Sequence, residues 1–172
     1  MLIVPVTGLL CALLATSVLA DDFENGLRFS IHGDYSNAAI SFRKAADQGN
    51  AEAQFNLALM YEEGRGVTKD DEQAAMWYSK AAEQDYARAQ FNLGKMLSEG
   101  KGGHQDNIEA YKWLSLAKDK DVNGAKADLD KLASQMAQLQ IVEAQLRKSK
   151  WLKSRQSKTQ PPKQVSHKSL SA

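Results

Sequence analysis

The segment Ala53-Gln54-Phe55-Asn56-Leu57-Ala58 recurs as Ala89-Gln90-Phe91-Asn92-Leu93-Gly94, 36 residues further along the chain. The same offset relates Ala74 to Ala110, Trp77 to Trp113, Ala81 to Ala117, and Gly64 and Gly66 to Gly100 and Gly102. Stepping forward again reaches Ala125 and Leu129, and stepping back from Ala74 and Ala81 reaches Ala38 and Ala45. A chain written this way is restricted to stacked copies of one supersecondary unit, because a single short unit cannot bury its own apolar face.

Each unit reads as two amphipathic helices. From Ala51 to Glu62, the residues Ala53, Leu57 and Tyr61 are four apart and share a face; from Asp71 to Gln84, Ala74, Trp77, Tyr78 and Ala81 follow the spacing i, i+3, i+4, i+7. Between them Glu63-Gly64-Arg65-Gly66-Val67 supplies glycines that end one helix and permit a positive-φ turn into an antiparallel second helix. Ala74 and Ala81 let the two backbones approach, while Trp77 and Tyr78 are large enough to fill the gap to the next pair.

The string Ala53-Gln54-x-x-Leu57-Ala58, Tyr61-x-x-Gly64-x-Gly66-Val67, Asp70, Ala74, Trp77-Tyr78, Ala81-Ala82 resembles the Sel-one-like repeat (SLR), a relative of the tetratricopeptide repeat. One full unit runs from about Ala51 to Asp85. A second runs from Ala87 to Asp121, with Gly103 and Leu114 in place of Val and Tyr. The opening segment, with Gly26, Phe29, Gly33-Asp34-Tyr35, Ala38, Phe42 and Ala45, looks more like a plain tetratricopeptide unit with a shorter loop. The stretch from Met136 to Gln145, followed by Trp151, is similar to the capping helix of exported bacterial SLR proteins, with Ala137-Gln138 where the family usually carries Thr-Pro. The resemblance implies an all-α fold, an α/α solenoid of about three antiparallel helix pairs plus a C-terminal capping helix, over residues 21–152.

Residues 1–20 contain no charged side chain, carry an apolar run from Leu9 to Leu14, and end in Ser17-Val18-Leu19-Ala20 ahead of Asp21-Asp22. This pattern predicts a secretory signal peptide cut after Ala20, with an uncleaved anchor as the alternative. Cys11, the one cysteine, follows Leu10 and belongs to the apolar run, not to a lipidation site. Export then leaves a mature chain without cysteine, and so without disulfides, thiol catalysis or thiolate metal sites. No transmembrane segment is expected after processing, and a periplasmic or secreted location follows.

Catalytic constellations are missing from the pattern. His32 and His104 fall in predicted turns and His167 in a polar tail, none with a metal-ligating partner at i+3 or i+4, and there is no nucleophile elbow or phosphate loop. Gly100-Lys101-Gly102-Gly103 is the repeat's turn, and carboxylates such as Asp70-Asp71 sit where helix caps belong. The sequence therefore predicts no catalytic residue, no metal and no cofactor.

Tetratricopeptide repeats direct toward a concave groove the residue three before the small packing position of the first helix, and the residue just after it. By that resemblance the small positions are Gly26, Ala58 and Gly94. Phe23, Phe55 and Phe91 precede them, Leu27, Leu59 and Lys95 follow them, and Ala127 and Lys131 continue the series. The candidate partner-binding set is Phe23, Phe55, Leu59, Phe91 and Lys95, lining a groove that turns from apolar to basic. It suits a peptide with hydrophobic anchors and an acidic end. The alternative is that the Phe side chains fill space between repeats. Asn56 and Asn92, in register with each other, are expected to be solvated.

The net charge of +1 is a cancellation. Residues 21–147 hold 15 Lys+Arg against 21 Asp+Glu, a net of −6, while residues 148–172 hold 7 basic side chains and no acidic one. Residues 153–172 are expected to form a disordered basic tail, either solubilising or tethering the protein to an anionic envelope surface. Export separates the chain from nucleic acid. These readings converge on a non-catalytic adaptor or regulator of the cell envelope with a protein or peptide partner. Two alternatives remain: a β-lactam-binding or hydrolysing SLR enzyme, whose disulfide staples this chain lacks, and a structural envelope-anchored protein.

Overall fold

A computed structural model describes residues 22–159, all helix and turn with no strand among them. The predicted leader, residues 1–20, and residues 160–172 of the tail lie outside the described residues. Eight helices follow in order: α1 (22–31), α2 (Tyr35–Asp47), α3 (Ala51–Glu63), α4 (Asp71–Glu83), α5 (Ala87–Glu99), α6 (Asn107–Lys118), α7 (Ala125–Ala133) and α8 (Gln138–Thr159). The first six form three antiparallel pairs, each packing on the next, so the solenoid inferred from the repeat is the fold.

The helix ends repeat as faithfully as the helices. Asp34, Asp70 and Asp106, spaced by 36, cap the second helix of each pair by accepting the backbone N–H three residues on, at 3.2, 3.0 and 2.9 Å. Such a cap contributes about 1 kcal/mol by satisfying an otherwise orphaned donor. The first helices of the second and third pairs end on left-handed Gly64 and Gly100, after which the Arg65 and Lys101 N–H groups reach back to the Met60 and Met96 carbonyls, both at 2.9 Å. The second loop glycine has a further duty. A Cβ on Gly66 would stand 2.1 Å from the Tyr35 carbonyl oxygen, and one on Gly102 would stand 2.2 Å from that of Asp71. Each loop thus lies against the backbone at the start of the preceding pair's second helix, and sets the spacing between repeats.

Side-chain size alternates across these contacts. Ala38, Ala74 and Ala110, Ala45, Ala81 and Ala117, and Ala53, Ala89 and Ala125 are all fully buried, as equivalent positions should be where backbones meet. Large residues oppose small ones: a Cβ on Gly26 would meet Phe42 at 2.5 Å, and one on Gly94 would meet Leu114 at 2.8 Å. Trp77, Trp113 and Leu57 fill the space between, each contributing about 1.5–3 kcal/mol or more by leaving water.

The repeated Ala-Gln dipeptide supplies a polar latch. Gln54 and Gln90 are buried and donate from Nε2 to the carbonyls of Ala46 and Ala82, at 3.0 and 3.2 Å. Each bond ties a first helix to the last turn of the preceding pair, through a carbonyl that also accepts the backbone N–H three residues on, from Gly49 and Asp85.

The array ends differently from its interior. α7 opens a fourth unit, but α8 packs mainly along α6 instead of pairing with α7. It begins at Gln138 without the family's Thr-Pro, because the Gln140 side chain accepts the Ala137 N–H at 3.0 Å, the reciprocal half of a capping box. Lys148 bonds to Ser115 Oγ at 2.8 Å and pairs with Asp119, and Trp151 meets Trp113 edge-on with ring centroids 5.7 Å apart. Further on, the Trp151 indole N–H donates to Glu83 at 2.9 Å and Arg155 to the Glu83 carbonyl at 2.7 Å. These contacts carry the helix to Thr159. Residues 153–159, expected to be disordered from their composition, are helical, and Arg155 holds this stretch to the end of α4 through the Glu83 carbonyl and Asp85.

Candidate partner-binding groove

The first helices of successive units face one another across three depressions, and the lining residues are related by the repeat. Asn56, Leu59, Met60 and Glu63 line the one between α1 and α3. Asn92, Lys95, Met96 and Glu99, each 36 residues on, line the one between α3 and α5. Asp128, Lys131, Leu132 and Gln135, another 36 on, line the one between α5 and α7. The three depressions thus follow one another along the first helices and present one register position after another.

The ends of this series differ in volume and charge. The first depression opens about 330 Å³ and has Ile31, 82% exposed, and Leu59 on its walls. The middle one opens only about 40 Å³, room for one or two waters. The third opens about 170 Å³ between Lys95 and Lys131. Large side chains can thus be accommodated at either end but not at the centre. The Glu99 carboxyl is held below the usual range, first by its hydrogen bond from Lys101 at 2.6 Å and further by the charges of Lys95 and Lys131. The Glu99 carboxylate partly balances the lysines in this half.

The expected partner-binding residues separate into two groups. Leu59 and Lys95 line these depressions, Leu59 half-buried and Lys95 exposed. The three Phe side chains behave otherwise. Phe55 is only 8% exposed, with ring centroids 5.7 Å from Tyr78 and 5.2 Å from Tyr86, so it fills the space between repeats and is withdrawn from the groove. Phe23 packs against Phe42 at 5.9 Å and keeps part of its surface. Phe91 is half-buried, with the Lys95 ammonium 5.5 Å from its ring centre. Its extra exposure has a reason in the register: the tyrosines that enclose Phe55 are replaced by Leu114 and Val122.

The asparagines are not simply solvated. Asn92 donates to the Tyr78 hydroxyl at 2.9 Å, and that hydroxyl donates to Glu62 at 2.7 Å. Burial, reinforced by the Glu62 carboxylate, pushes the Tyr78 phenol far above its ordinary value. Asn56 donates to the Glu52 carbonyl at 2.9 Å, bracing its own helix. Sequence reasoning missed the part played by Gln54 and Gln90, although their place in the repeated motif was the available signal. Among the described residues, no group of three His, Cys, Asp or Glu side chains is gathered as metal ligands, and no helix is long and apolar enough to cross a membrane.

Comparison with known proteins agrees with this architecture. The Sel1 repeat pattern matches residues 23–50, 51–86 and 87–122. Among solved structures, a protective antigen of uropathogenic Escherichia coli displaying an SLR fold superposes with a TM-score of 0.73 at 28% identity, covering 83% of this chain and 33% of that one. A Sel1 repeat protein from Oxalobacter formigenes superposes with a TM-score of 0.60 at 34% identity, covering 65% of this chain and 45% of that one. The rat and mouse proteins described as DAP3-binding cell death enhancer 1 are 50% identical over 38 residues, 22% of this chain. The chain spans only 8% of the length of those relatives and less than half of either solved chain. With three matched repeats covering more than half of its residues and a solenoid built in their register, the chain belongs to the Sel1 repeat family.

Proposed function

We propose that this protein is a non-catalytic adaptor that holds a segment of a partner protein along the groove of its first helices. Sel1 repeats commonly serve as protein interaction modules, and the observation that carries the reading here is the series of three register-related depressions. The partner segment places an apolar side chain beside Leu59 and Ile31, crosses the narrow middle, and sets a carboxylate between Lys95 and Lys131. Phe91 supplies the exposed aromatic surface next to that pair, and Phe55 supports the groove from beneath. The composition of residues 1–20 supports a place in the cell envelope, where such an adaptor would meet exported partners.

Selection from a random peptide display library tests the proposal. The enriched peptides should combine an apolar residue with an acidic one several positions away. Leu59→Glu and Lys95→Glu should each weaken them about tenfold or more with helicity intact. Peptides that bind both variants as well as the parent would place the recognition surface elsewhere.

A further inference from the structure

The outer face of α8 is unlike any other surface of the described residues. Its inner face is committed to the scaffold through Ala144, Lys148, Trp151 and Arg155. On the opposite side Leu139, Val142 and Leu146, at spacings of three and four, form one stripe and are 82%, 51% and 47% exposed. Continuing along that stripe by helical spacing, the next long side chains are Lys150 and Lys153, both exposed. The one carboxylate of the helix, Glu143, is paired with Arg147 at 3.0 Å. Beyond Lys153 the sequence adds Arg155, Lys158, Lys163 and Lys168 and no acidic residue to its end at Ala172. The scaffold carries the opposite sign, a net of −6 from residue 21 to 147.

We infer that this face of α8 lies on an anionic lipid surface. An apolar stripe two turns long, followed by Lys150 and Lys153 with no ion pair to either among the described residues, matches a plane with an apolar interior and diffuse negative charge. Leu139, Val142 and Leu146 enter the headgroup boundary while Lys150 and Lys153 reach the phosphates with their stems against the apolar zone. The Lys148 and Arg155 contacts consume other basic residues in fixing the helix to α6 and α4, which leaves the stripe facing outward. Because α8 covers a second helix and the groove runs along first helices, lipid attachment leaves the groove open. This inference is independent of the partner proposed for the groove.

The test uses the chain from Asp21, free of the apolar leader, with Val142→Cys as its one cysteine, labelled at residue 142 with an environment-sensitive dye. Vesicles of phosphatidylcholine alone are compared with vesicles containing one part phosphatidylglycerol to two of phosphatidylcholine. A blue-shifted, brighter emission is expected on the anionic vesicles only, and none from the same dye placed at Lys95→Cys in the groove. Adding Lys150→Glu and Lys153→Glu should lower the partition coefficient about tenfold or more, with the helical circular dichroism and groove-peptide affinity unchanged. Equal responses on neutral and anionic vesicles would overturn the inference, as would indifference to the charge reversals. A dye already shielded without lipid, in a manner that depends on protein concentration, would also overturn it and assign the stripe to a second copy of the chain.

Discussion

Replacing Gly66 with Ala perturbs the loop that lies against Tyr35, and its cost can be resolved into two parts. The first is conformational: at φ 69 a side chain occupies the left-handed region, which costs about 1 kcal/mol relative to glycine. The second is steric. The new methyl would stand 2.1 Å from the Tyr35 carbonyl oxygen and 2.3 Å from its carbon, both backbone atoms that cannot rotate away. The loop must therefore withdraw from α2, which costs about 1–3 kcal/mol more, as overpacking does. Gly33 isolates the first part, since its φ is 76 and a Cβ there meets nothing within 4 Å. Urea titrations followed by circular dichroism at the helical band should show Gly33→Ala less stable than the parent by about 1 kcal/mol and Gly66→Ala by about 2–4 kcal/mol. Gly102→Ala, with its methyl 2.2 Å from the Asp71 carbonyl oxygen, should match Gly66→Ala. If Gly66→Ala costs no more than Gly33→Ala, the loops do not set the spacing between repeats.

Other parts of the structure can be tested separately. Gln54→Ala removes the buried bond to the Ala46 carbonyl, which keeps the Gly49 N–H, and should cost about 0.5–1.5 kcal/mol in the same titration; Gln54→Glu, which keeps the volume but not the donor, should not restore it. Because burial raises the Tyr78 phenol in the folded state, the unfolded chain releases this proton first as pH climbs above the ordinary value of about 10, so stability is retained below that pH and falls above it. Tyr78→Phe should flatten this alkaline loss while lowering stability at neutral pH, because Glu62 and Asn92 lose their shared partner; an unchanged alkaline slope would assign the loss to other groups. Trp151→Ala removes both the ring contact with Trp113 and the bond to Glu83, and should raise amide exchange in the C-terminal half of α8 about tenfold or more while α3 to α5 keep their protection.

Repetition explains why so much was legible from residues alone. Each local choice, Asp at the start of a second helix, Ala where backbones cross and Gly in the loop, is repeated at the same offset and answers the same local requirement. A single unit therefore predicts its neighbours. Leu59 and Lys95 were readable as groove residues for the same reason, since their position follows from the packing register. Phe55 was not, because withdrawal of its ring depends on Tyr78 and Tyr86 closing around it, and Phe91 in the equivalent place meets smaller residues and stays partly exposed. The Asn92 contact with Tyr78 was hidden similarly, being made between helices of different repeats.

By itself the sequence determined the solenoid, because periodicity of apolar, small and turn residues acts within and between adjacent units, where spacing along the chain implies spacing in space. Only the tertiary structure decided the course of α8. A capping helix was legible as far as Trp151 and only residues 153–159 read as tail, but the partners were not legible: Trp151 and Arg155 meet Glu83 across 68 and 72 residues, and Lys148 meets Asp119 across 29. No local pattern encodes partners so distant. Its course along α6, and the outward aspect of its apolar stripe, follow from Lys148, Trp151 and Arg155 reaching the ends of α6 and α4.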